Sequence, residues 1–227
     1  MVPRPAATVM LLRPANPGID VYMTRRSSRS RFMPDAYVFP GGAVDAADGE
    51  PPGAYAVAGL RELFEEAGVL LACDATGTPA ALDAPSLETL RAAATSGASL
   101  GALLAERGLR LDVERTLYYS NWITPESEPI RFDARFFVAL APEDQIAAAD
   151  AIEVHDGMWV SASDALARAD RNELTVRFPT RKHLERLARF ADIDAFLVHA
   201  RSRSVVAVMP YDDGTEAYGI PGGNDAW

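Results

Sequence analysis

Lysine, cysteine and long apolar runs are almost absent from this chain of 227 residues. Lys182 is the single lysine and Cys73 the single cysteine. One cysteine excludes an intrachain disulfide and is typical of a protein in a reducing compartment. No segment approaches the roughly 20 apolar residues of a membrane helix, and no basic stretch followed by an apolar run opens the chain. We therefore expect a soluble, cytoplasmic protein that does not enter membranes.

Positive charge is also scarce, since 22 Lys and Arg residues face 32 Asp and Glu residues, for a net charge of -10. This balance argues against binding to nucleic-acid polymers or anionic membrane surfaces. It is compatible with a small anionic ligand, which needs only a local basic pocket or a metal ion. Apolar residues make up 48% of the chain, enough for a sizeable core in one large domain.

The alternation of apolar and polar residues predicts strands mixed with helices. The predicted elements cover residues 6–14, 19–26, 37–42, 54–68, 117–125, 130–140 and 178–190. Such an order favours the α+β class, with a mixed β-sheet between helices. We predict one domain over residues 1–227, with a helical insert at about 84–108 and a C-terminal helix and tail at about 178–227.

The stretch RELFEEAGV, residues 61–69, concentrates acid on one helix face. Glu62, Glu65 and Glu66 follow the spacing i, i+3, i+4, so their side chains converge and repel one another. A hard divalent cation with oxygen ligands, Mg²⁺ or Mn²⁺, would neutralise them. Arg61 lies four residues before Glu65 and can orient that carboxylate, while Gly68 is placed to end the helix. The alternative is a solvated acidic face.

This stretch resembles the second half of the Nudix box, R-E-U-x-E-E-x-G-U with U aliphatic, and FPGG at 39–42 resembles the strand end and glycine loop before it. The resemblance implies an α/β/α sandwich that hydrolyses nucleoside diphosphates linked to another moiety. It further implies that Glu62, Glu65, Glu66 and the backbone carbonyl of Gly42 ligate the metal ions.

The first half of the box departs from the usual spacing G-x5-E-x7-R. Asp48 stands at the glutamate position, and twelve residues separate it from Arg61 where seven are expected. The loop therefore carries an insertion of about five residues, which leaves the roles of Asp48 and Glu50 open.

The long loop, the helical insert and the stretch WITPESEPIRFDARFFVA resemble the coenzyme A and acyl-CoA diphosphatase branch of the family, the peroxisomal type and its bacterial relatives. A motif of coenzyme A diphosphatases before the box is matched in part, with agreement at Thr24, Arg26, Ser27 and Arg31. Arg26 and Arg31 belong to the densest basic cluster of the chain and are candidates for phosphate binding.

Further site residues are predicted outside the box. A general base must take a proton from the attacking water, and Glu153, Glu62 and Asp156 are the candidates. Arg131, Arg135 and Trp122 lie on strands that would form the cleft floor, where an arginine could hold phosphate and the indole could stack on a base; Trp122 can equally belong to the core.

The leading interpretation is a Nudix hydrolase that converts coenzyme A or acyl-CoA to 3′,5′-ADP and (acyl-)phosphopantetheine. The same chemistry on ADP-ribose, NADH, a nucleoside diphosphate sugar or a dinucleotide is the first alternative. A non-catalytic module that senses nucleotides is the second. In each case the partner is a small nucleoside diphosphate compound, and the oligomeric state, including a homodimer, stays open.

Overall fold

A computed structural model of the chain describes residues 2–30, 33–150, 154–212 and 218–227, without the side chain of His155. The strands are β1 (Arg4–Pro14), β2 (Ile19–Arg26), β3 (Tyr37–Val38), β4 (Gly41–Ala43), β5 (Ala72–Asp74), β6 (Leu109–Leu111), β7 (Leu117–Ile123), β8 (Phe132–Leu140), β9 (Val154–Ser161), β10 (Ala207–Val208), β11 (Tyr211–Asp212) and β12 (Tyr218–Gly219). The helices are α1 (Ala54–Ala67), α2 (Ala84–Thr95), α3 (Leu100–Ala105), α4 (Ala162–Asp170), α5 (Phe178–Leu187) and α6 (Ile193–Arg201).

Within the described residues, the main sheet is mixed and runs in the order β10-β7-β8-β1-β2-β3. β1 forms an antiparallel hairpin with β2, as predicted, and pairs in parallel with β8 on its other side. The short strand β4 adds to β1, and β9 adds to β2. The central strand β1 therefore pairs with β4 of the glycine loop and with β8, one of the two strands that carry the predicted cleft floor.

Both faces of the sheet are covered by helices. Val9 and Leu11 of β1 pack with Phe64 of α1 in one cluster, which also includes residues of α2 and α3. Met10 and Leu12 point the other way and pack with residues of α4, α5 and α6. Alternate residues of a strand face opposite sides, so β1 contributes to two cores. This arrangement confirms the predicted α/β/α sandwich.

Helix α1 carries the predicted box. Its apolar stripe, Leu60, Leu63, Phe64 and Ala67, is fully buried. Gly68 ends the helix with a φ of 71°, and its N–H donates to the Phe64 carbonyl at 2.9 Å. Glycine adopts this left-handed conformation without a Cβ penalty. The buried stripe fixes the rotation of α1, which turns its glutamates away from the core.

The segment after the box forms two helices, as predicted, with α2 ending at Thr95 and α3 beginning at Leu100. Arg91 of α2 donates to the Glu65 carbonyl at 3.0 Å and to the Ala148 carbonyl at 2.9 Å, which ties the insert to the end of α1. Helix α6 was not predicted. The single-domain assignment of residues 1–227 stays a prediction.

Candidate active site

The glycine loop and helix α1 meet at one close contact. Pro40 separates β3 from β4, and β4 pairs with β1 through Gly41 and Gly42. A Cβ atom at Gly42 would overlap the carboxylate of Glu62. A side chain at this position would displace the carboxylate, so glycine lets β4 lie against Glu62 in its present conformation.

The three glutamates of α1 have different surroundings. Glu66 is 4% exposed, and one of its carboxylate oxygens accepts a hydrogen bond from the Gly41 N–H at 3.0 Å. Glu62 and Glu66 line a cavity of about 180 Å³ together with Arg26 and the Gly41–Ala43 backbone. Glu65 is not part of that lining, and it accepts from Arg61 at 3.0 Å. Two of the three carboxylates on this acidic helix face, those of Glu62 and Glu66, therefore line a cavity.

Arg61 connects the carboxylates to the loop before the helix. Its Nε donates to Asp48 at 2.9 Å, one terminal nitrogen donates to Glu62 and Glu65, and the other donates to the Ala43 carbonyl at 3.0 Å. Burial alone would lower the pKa of Arg61, but the hydrogen bond to Asp48 and the nearby carboxylates outweigh it and raise the pKa. Arg61 therefore stays charged and holds the carboxylates in place.

Asp48 has a defined role despite the insertion. Its side chain is 2% exposed and accepts from two nitrogens of Arg61, at 2.9 and 3.1 Å. The insertion lies between Asp48 and α1. It lengthens the sequence spacing between Asp48 and Arg61, but the two side chains still form their contact. Glu50 lies in the insertion and is exposed. The question left open by the sequence is answered for Asp48 by this two-point contact.

The donor set fits a hard divalent cation in part. Glu62 and Glu66 present carboxylate oxygens to the small cavity, beside a glycine whose Cβ would fill the space next to Glu62. Oxygen ligands of this kind suit Mg²⁺ or Mn²⁺. Among the described residues, however, no three carboxylate, imidazole or thiol groups gather around one point. Glu65 does not line the small cavity, and it shares one terminal nitrogen of Arg61 with Glu62.

A second and larger pocket adjoins the small cavity. It has a volume of about 620 Å³ and shares Arg26, Gly41, Gly42 and Ala43 with the small cavity. Its lining is largely aromatic and aliphatic, and includes Val38, Phe39, Trp122, Ile123, Ile130, Phe132, Phe136, Phe178 and Tyr218. A volume of this size is typical of sites for small-molecule ligands. The two cavities therefore have a common wall formed by β4 and Arg26.

The predicted residues of the cleft floor divide between two locations. Trp122 lines the large pocket but is only 3% exposed, because its ring packs against Phe178 and Trp227. Arg135 lines neither cavity; its guanidinium lies 3.7 Å from the ring centre of Tyr55 in α1. Its neighbours Ala134 and Phe136 face the pocket, so the alternation of β8 places Arg135 on the opposite face. Arg135 is thus not brought to either cavity, and its role in the substrate cleft stays a prediction.

Arg131 is also outside both linings. Its Nε donates to the Thr124 carbonyl at 3.0 Å, and it contacts the Met209 sulfur at 3.6 Å. At 8% exposure, it ties the β7–β8 connection to the C-terminal segment. Arg131 has this structural role in the described residues, and a phosphate contact by Arg131 or Arg135 stays a prediction.

Two candidates for chemistry, Arg31 and Glu153, lie outside the described residues. The rival base Asp156 is described and lines neither cavity. Its carboxylate accepts from the Tyr37 hydroxyl at 3.1 Å. Burial and this hydrogen bond raise the pKa of Tyr37, which keeps the hydroxyl a donor. Asp156 is therefore hydrogen-bonded to Tyr37 and does not line the cavity that contains Glu62 and Glu66.

Sequence reasoning missed several residues of the large pocket. Arg4 and Arg177 both line it, and neither forms an ion pair with any residue that the structure describes. Glu128, Phe178 and Tyr218 line it as well. Glu128 lies in the stretch WITPESEPIRFDARFFVA, but its role was not predicted. These residues come from four distant parts of the chain, and the fold brings them together.

Comparison with known proteins identifies the family. The NUDT19 Nudix domain matches residues 51–187, more than half of the chain. The crystal structure of a Nudix hydrolase from Alicyclobacillus acidocaldarius is similar with a TM-score of 0.78 and 31% identity, covering 87% of this chain and 96% of that one. The chain belongs to the Nudix hydrolase family. The resemblance found in RELFEEAGV and FPGG is thereby confirmed.

Curated relatives include putative nudix hydrolase 7 of Caenorhabditis elegans, which is 28% identical over 84% of this chain and 63% of its own length. The acyl-coenzyme A diphosphatase NUDT19 of Gallus gallus is 28% identical over 77% of this chain and 62% of its own length. The human protein of the same name is 25% identical over 79% of this chain and 63% of its own length. The chain thus spans less than two thirds of the length of these Nudix relatives.

None of the helices in the described ranges has both the length and the apolar character needed to cross a membrane.

Proposed function

We propose that this Nudix family member hydrolyses the diphosphate linkage of acyl-CoA or coenzyme A, with Mg²⁺ or Mn²⁺ as cofactor. The products would be 3′,5′-ADP and (acyl-)phosphopantetheine. The observation that supports this function best is the common wall between the two cavities. A carboxylate-lined cavity suits the metal and diphosphate, and the adjoining apolar pocket suits an uncharged substituent of the diphosphate.

The chain's own residues have distinct roles in this proposal. Arg26 lies in the common wall and would hold the diphosphate by charged hydrogen bonds. Glu62 and Glu66 would hold the cation, joined by Glu65, and Gly42 would add its carbonyl. Arg61 positions two of these carboxylates through its contacts with Asp48, Glu62 and Glu65. A bound divalent ion would offset the diphosphate charge and lower the pKa of water.

The reaction consumes one water molecule. Its oxygen bonds to one phosphorus while the bridging oxygen leaves with the other, so that two phosphomonoesters form. A general base takes the proton, and we propose Glu153 for this role. Glu62 is the alternative on α1. The Tyr37 contact of Asp156 and its absence from both linings make it the weakest of the three candidates.

The relatives support the acyl-CoA assignment through their names, since two of them are acyl-coenzyme A diphosphatases. The presence of Glu62, Glu65 and Glu66 in the box argues for catalysis over nucleotide sensing alone. ADP-ribose, NADH and related compounds are the alternative substrates. The test must include them, because the chemistry of the Nudix box would cleave their diphosphate linkage in the same way.

The test is a substrate panel with Mg²⁺ or Mn²⁺, read by chromatography and mass spectrometry of the products. The panel contains coenzyme A, octanoyl-CoA, ADP-ribose and NADH. We expect 3′,5′-ADP and octanoyl-phosphopantetheine from octanoyl-CoA, with a higher kcat/KM than for ADP-ribose or NADH. Faster cleavage of ADP-ribose or NADH than of either CoA species would replace the proposed substrate and leave the Nudix chemistry intact.

The arginine cluster can be tested separately with dephospho-coenzyme A. If Arg26 or Arg31 contacts the 3′-phosphate, coenzyme A should be cleaved about tenfold to a hundredfold more efficiently than dephospho-coenzyme A, the value of one charged hydrogen bond. Loss of the preference in Arg31→Ala would assign the 3′-phosphate contact to Arg31, and loss in Arg26→Ala would assign it to Arg26 in place of the diphosphate contact; salt should weaken the preference. Equal cleavage of both compounds by the wild type would show that no arginine recognises the 3′-phosphate.

A further inference from the structure

We propose that Glu128 and Tyr218 form a clasp in the wall of the large pocket, and that this clasp determines the length of the acyl group that the protein accepts. The Tyr218 hydroxyl donates a hydrogen bond to the Glu128 carboxylate, across a separation of 90 positions in the chain. Both residues line the large pocket and neither lines the small cavity. The inference rests on the proposed function, because it names the part of the substrate that this pocket takes.

The charges around the large pocket indicate which half of acyl-CoA it receives. Arg26 lies at the wall that the pocket shares with the glutamate cavity, where the diphosphate would lie. Three arginines, Arg4, Arg26 and Arg177, and one carboxylate, that of Glu128, line a pocket whose other residues are largely apolar. The apolar lining suits the uncharged part of the acyl-pantetheine arm, and the Glu128 carboxylate disfavours a phosphate at its own point of the wall.

The clasp is held in place by aromatic packing. The Tyr218 ring contacts Phe178 with ring centres 5.5 Å apart, and Phe178 contacts Trp122 with centres 6.0 Å apart. The hydrogen bond to Glu128, together with burial, raises the pKa of Tyr218. The hydroxyl therefore remains a donor at ordinary pH. A fixed ring in the wall limits how far an acyl chain can extend along the pocket.

A limit of this kind has a measurable signature. Each methylene that enters an apolar pocket is worth up to about fourfold in kcat/KM. For the wild type we expect kcat/KM to rise along the series from acetyl-CoA to butanoyl-, octanoyl- and dodecanoyl-CoA, until the chain meets the clasp, and then to fall. Loss of the clasp should move this maximum to a longer chain.

The experiment compares the acyl-CoA series for the wild type, Tyr218→Phe and Glu128→Gln. Tyr218→Phe keeps the ring but removes the hydrogen bond, and we expect its maximum to move by at least two carbons, with little change for coenzyme A itself. Glu128→Gln keeps an acceptor for Tyr218 and should retain the wild-type length preference. Tyr211→Phe is the matched control, because Tyr211 belongs to the paired strand β11 and is 53% exposed.

An unchanged length profile in Tyr218→Phe would overturn the clasp, as would an equal fold-loss for coenzyme A and every acyl-CoA. A failure of the proposed function gives a different result, namely no cleavage of any CoA species by the wild type. Calorimetric titration with acyl-phosphopantetheines of the same chain lengths then decides the clasp without turnover. Affinities that depend on chain length and shift in Tyr218→Phe support it, and affinities independent of chain length overturn it.

Discussion

The two cavities that share β4 and Arg26 are formed by different kinds of sequence. The small cavity comes mainly from residues 41–66, in which a glycine loop and one helix turn supply both backbone and carboxylates. The large pocket comes from segments as far apart as Arg4 and Tyr218. The chemistry of a Nudix protein is thus encoded in a local motif, whereas the shape that would select its substrate depends on how distant elements meet.

The largest effect should come from the small cavity. We expect Glu66→Gln to abolish detectable hydrolysis, because a metal-bound carboxylate site supplies several kcal/mol of transition-state stabilisation. Excess EDTA should have the same effect on the wild type. Steady-state assays with varied Mg²⁺ and Mn²⁺ measure both results.

Glu50→Gln is the matched control for Glu66→Gln, since Glu50 is an exposed glutamate of the neighbouring insertion and lines neither cavity. Its activity should equal that of the wild type. Full activity of Glu66→Gln, or of the wild type in EDTA, would contradict a metal site on α1.

The next effect concerns the general base. Glu153→Gln should lower kcat by about 10²–10⁴-fold, the usual contribution of such a base, with little change in metal affinity. Asp156→Asn is the control and should stay near the wild type, because Asp156 bonds to Tyr37. A large loss in Asp156→Asn with an active Glu153→Gln would reverse the assignment, and a loss confined to Glu62→Gln would move the base to α1.

A smaller effect is expected for Asp48, which holds Arg61 in contact with Glu62 and Glu65. Asp48→Ala removes two hydrogen bonds to the guanidinium of Arg61, and we expect a loss of roughly 1.5–3 kcal/mol in the free energy of unfolding. Denaturation in urea measures it. Asp45→Ala is the control, because Asp45 lies 3.7 Å from Arg61 with a side chain 68% exposed. Equal losses in both variants would show that Asp48 is not the anchor.

The core beneath the large pocket should respond to pH. His183 is buried, stacks on Phe136 and contacts Ser120 at 2.7 Å. Burial lowers the pKa of His183 from 6.5 to about 3. Below pH 6.5 the unfolded chain binds a proton there that the folded chain does not bind. The contribution of His183 to the free energy of unfolding is therefore complete above pH 6.5. It decreases by about 1.4 kcal/mol per pH unit as the pH falls towards 3.

The measurement is the free energy of unfolding at pH 7.5, 6 and 5 for the wild type and His183→Gln, which removes the titrating ring. Other groups titrate in both proteins, so the difference between the two slopes isolates His183. We expect the variant to lose less stability per pH unit than the wild type. Parallel slopes would show that His183 can be protonated in the folded protein.

Local patterns predicted more of the fold than of the pocket. The buried stripe of α1 and its stop at Gly68 follow from helical spacing and one backbone conformation, so both could be read from residues 54–68. The position of Arg135 relative to the pocket could not be predicted, because the sequence gives the alternation of β8 but not which face of the strand lines the pocket. Asp48 could not be assigned because the insertion changes its spacing to Arg61 without changing their contact in space.

The central claim is that the small cavity carries out the reaction and the large pocket selects the substrate. Its most direct test is the measurement of kcat and KM along the acyl-CoA series for Phe178→Ala, whose side chain lines only the large pocket. We predict that KM rises more for octanoyl-CoA than for coenzyme A while kcat stays near the wild-type value. A uniform loss of kcat at every chain length, with KM unchanged, would contradict the division.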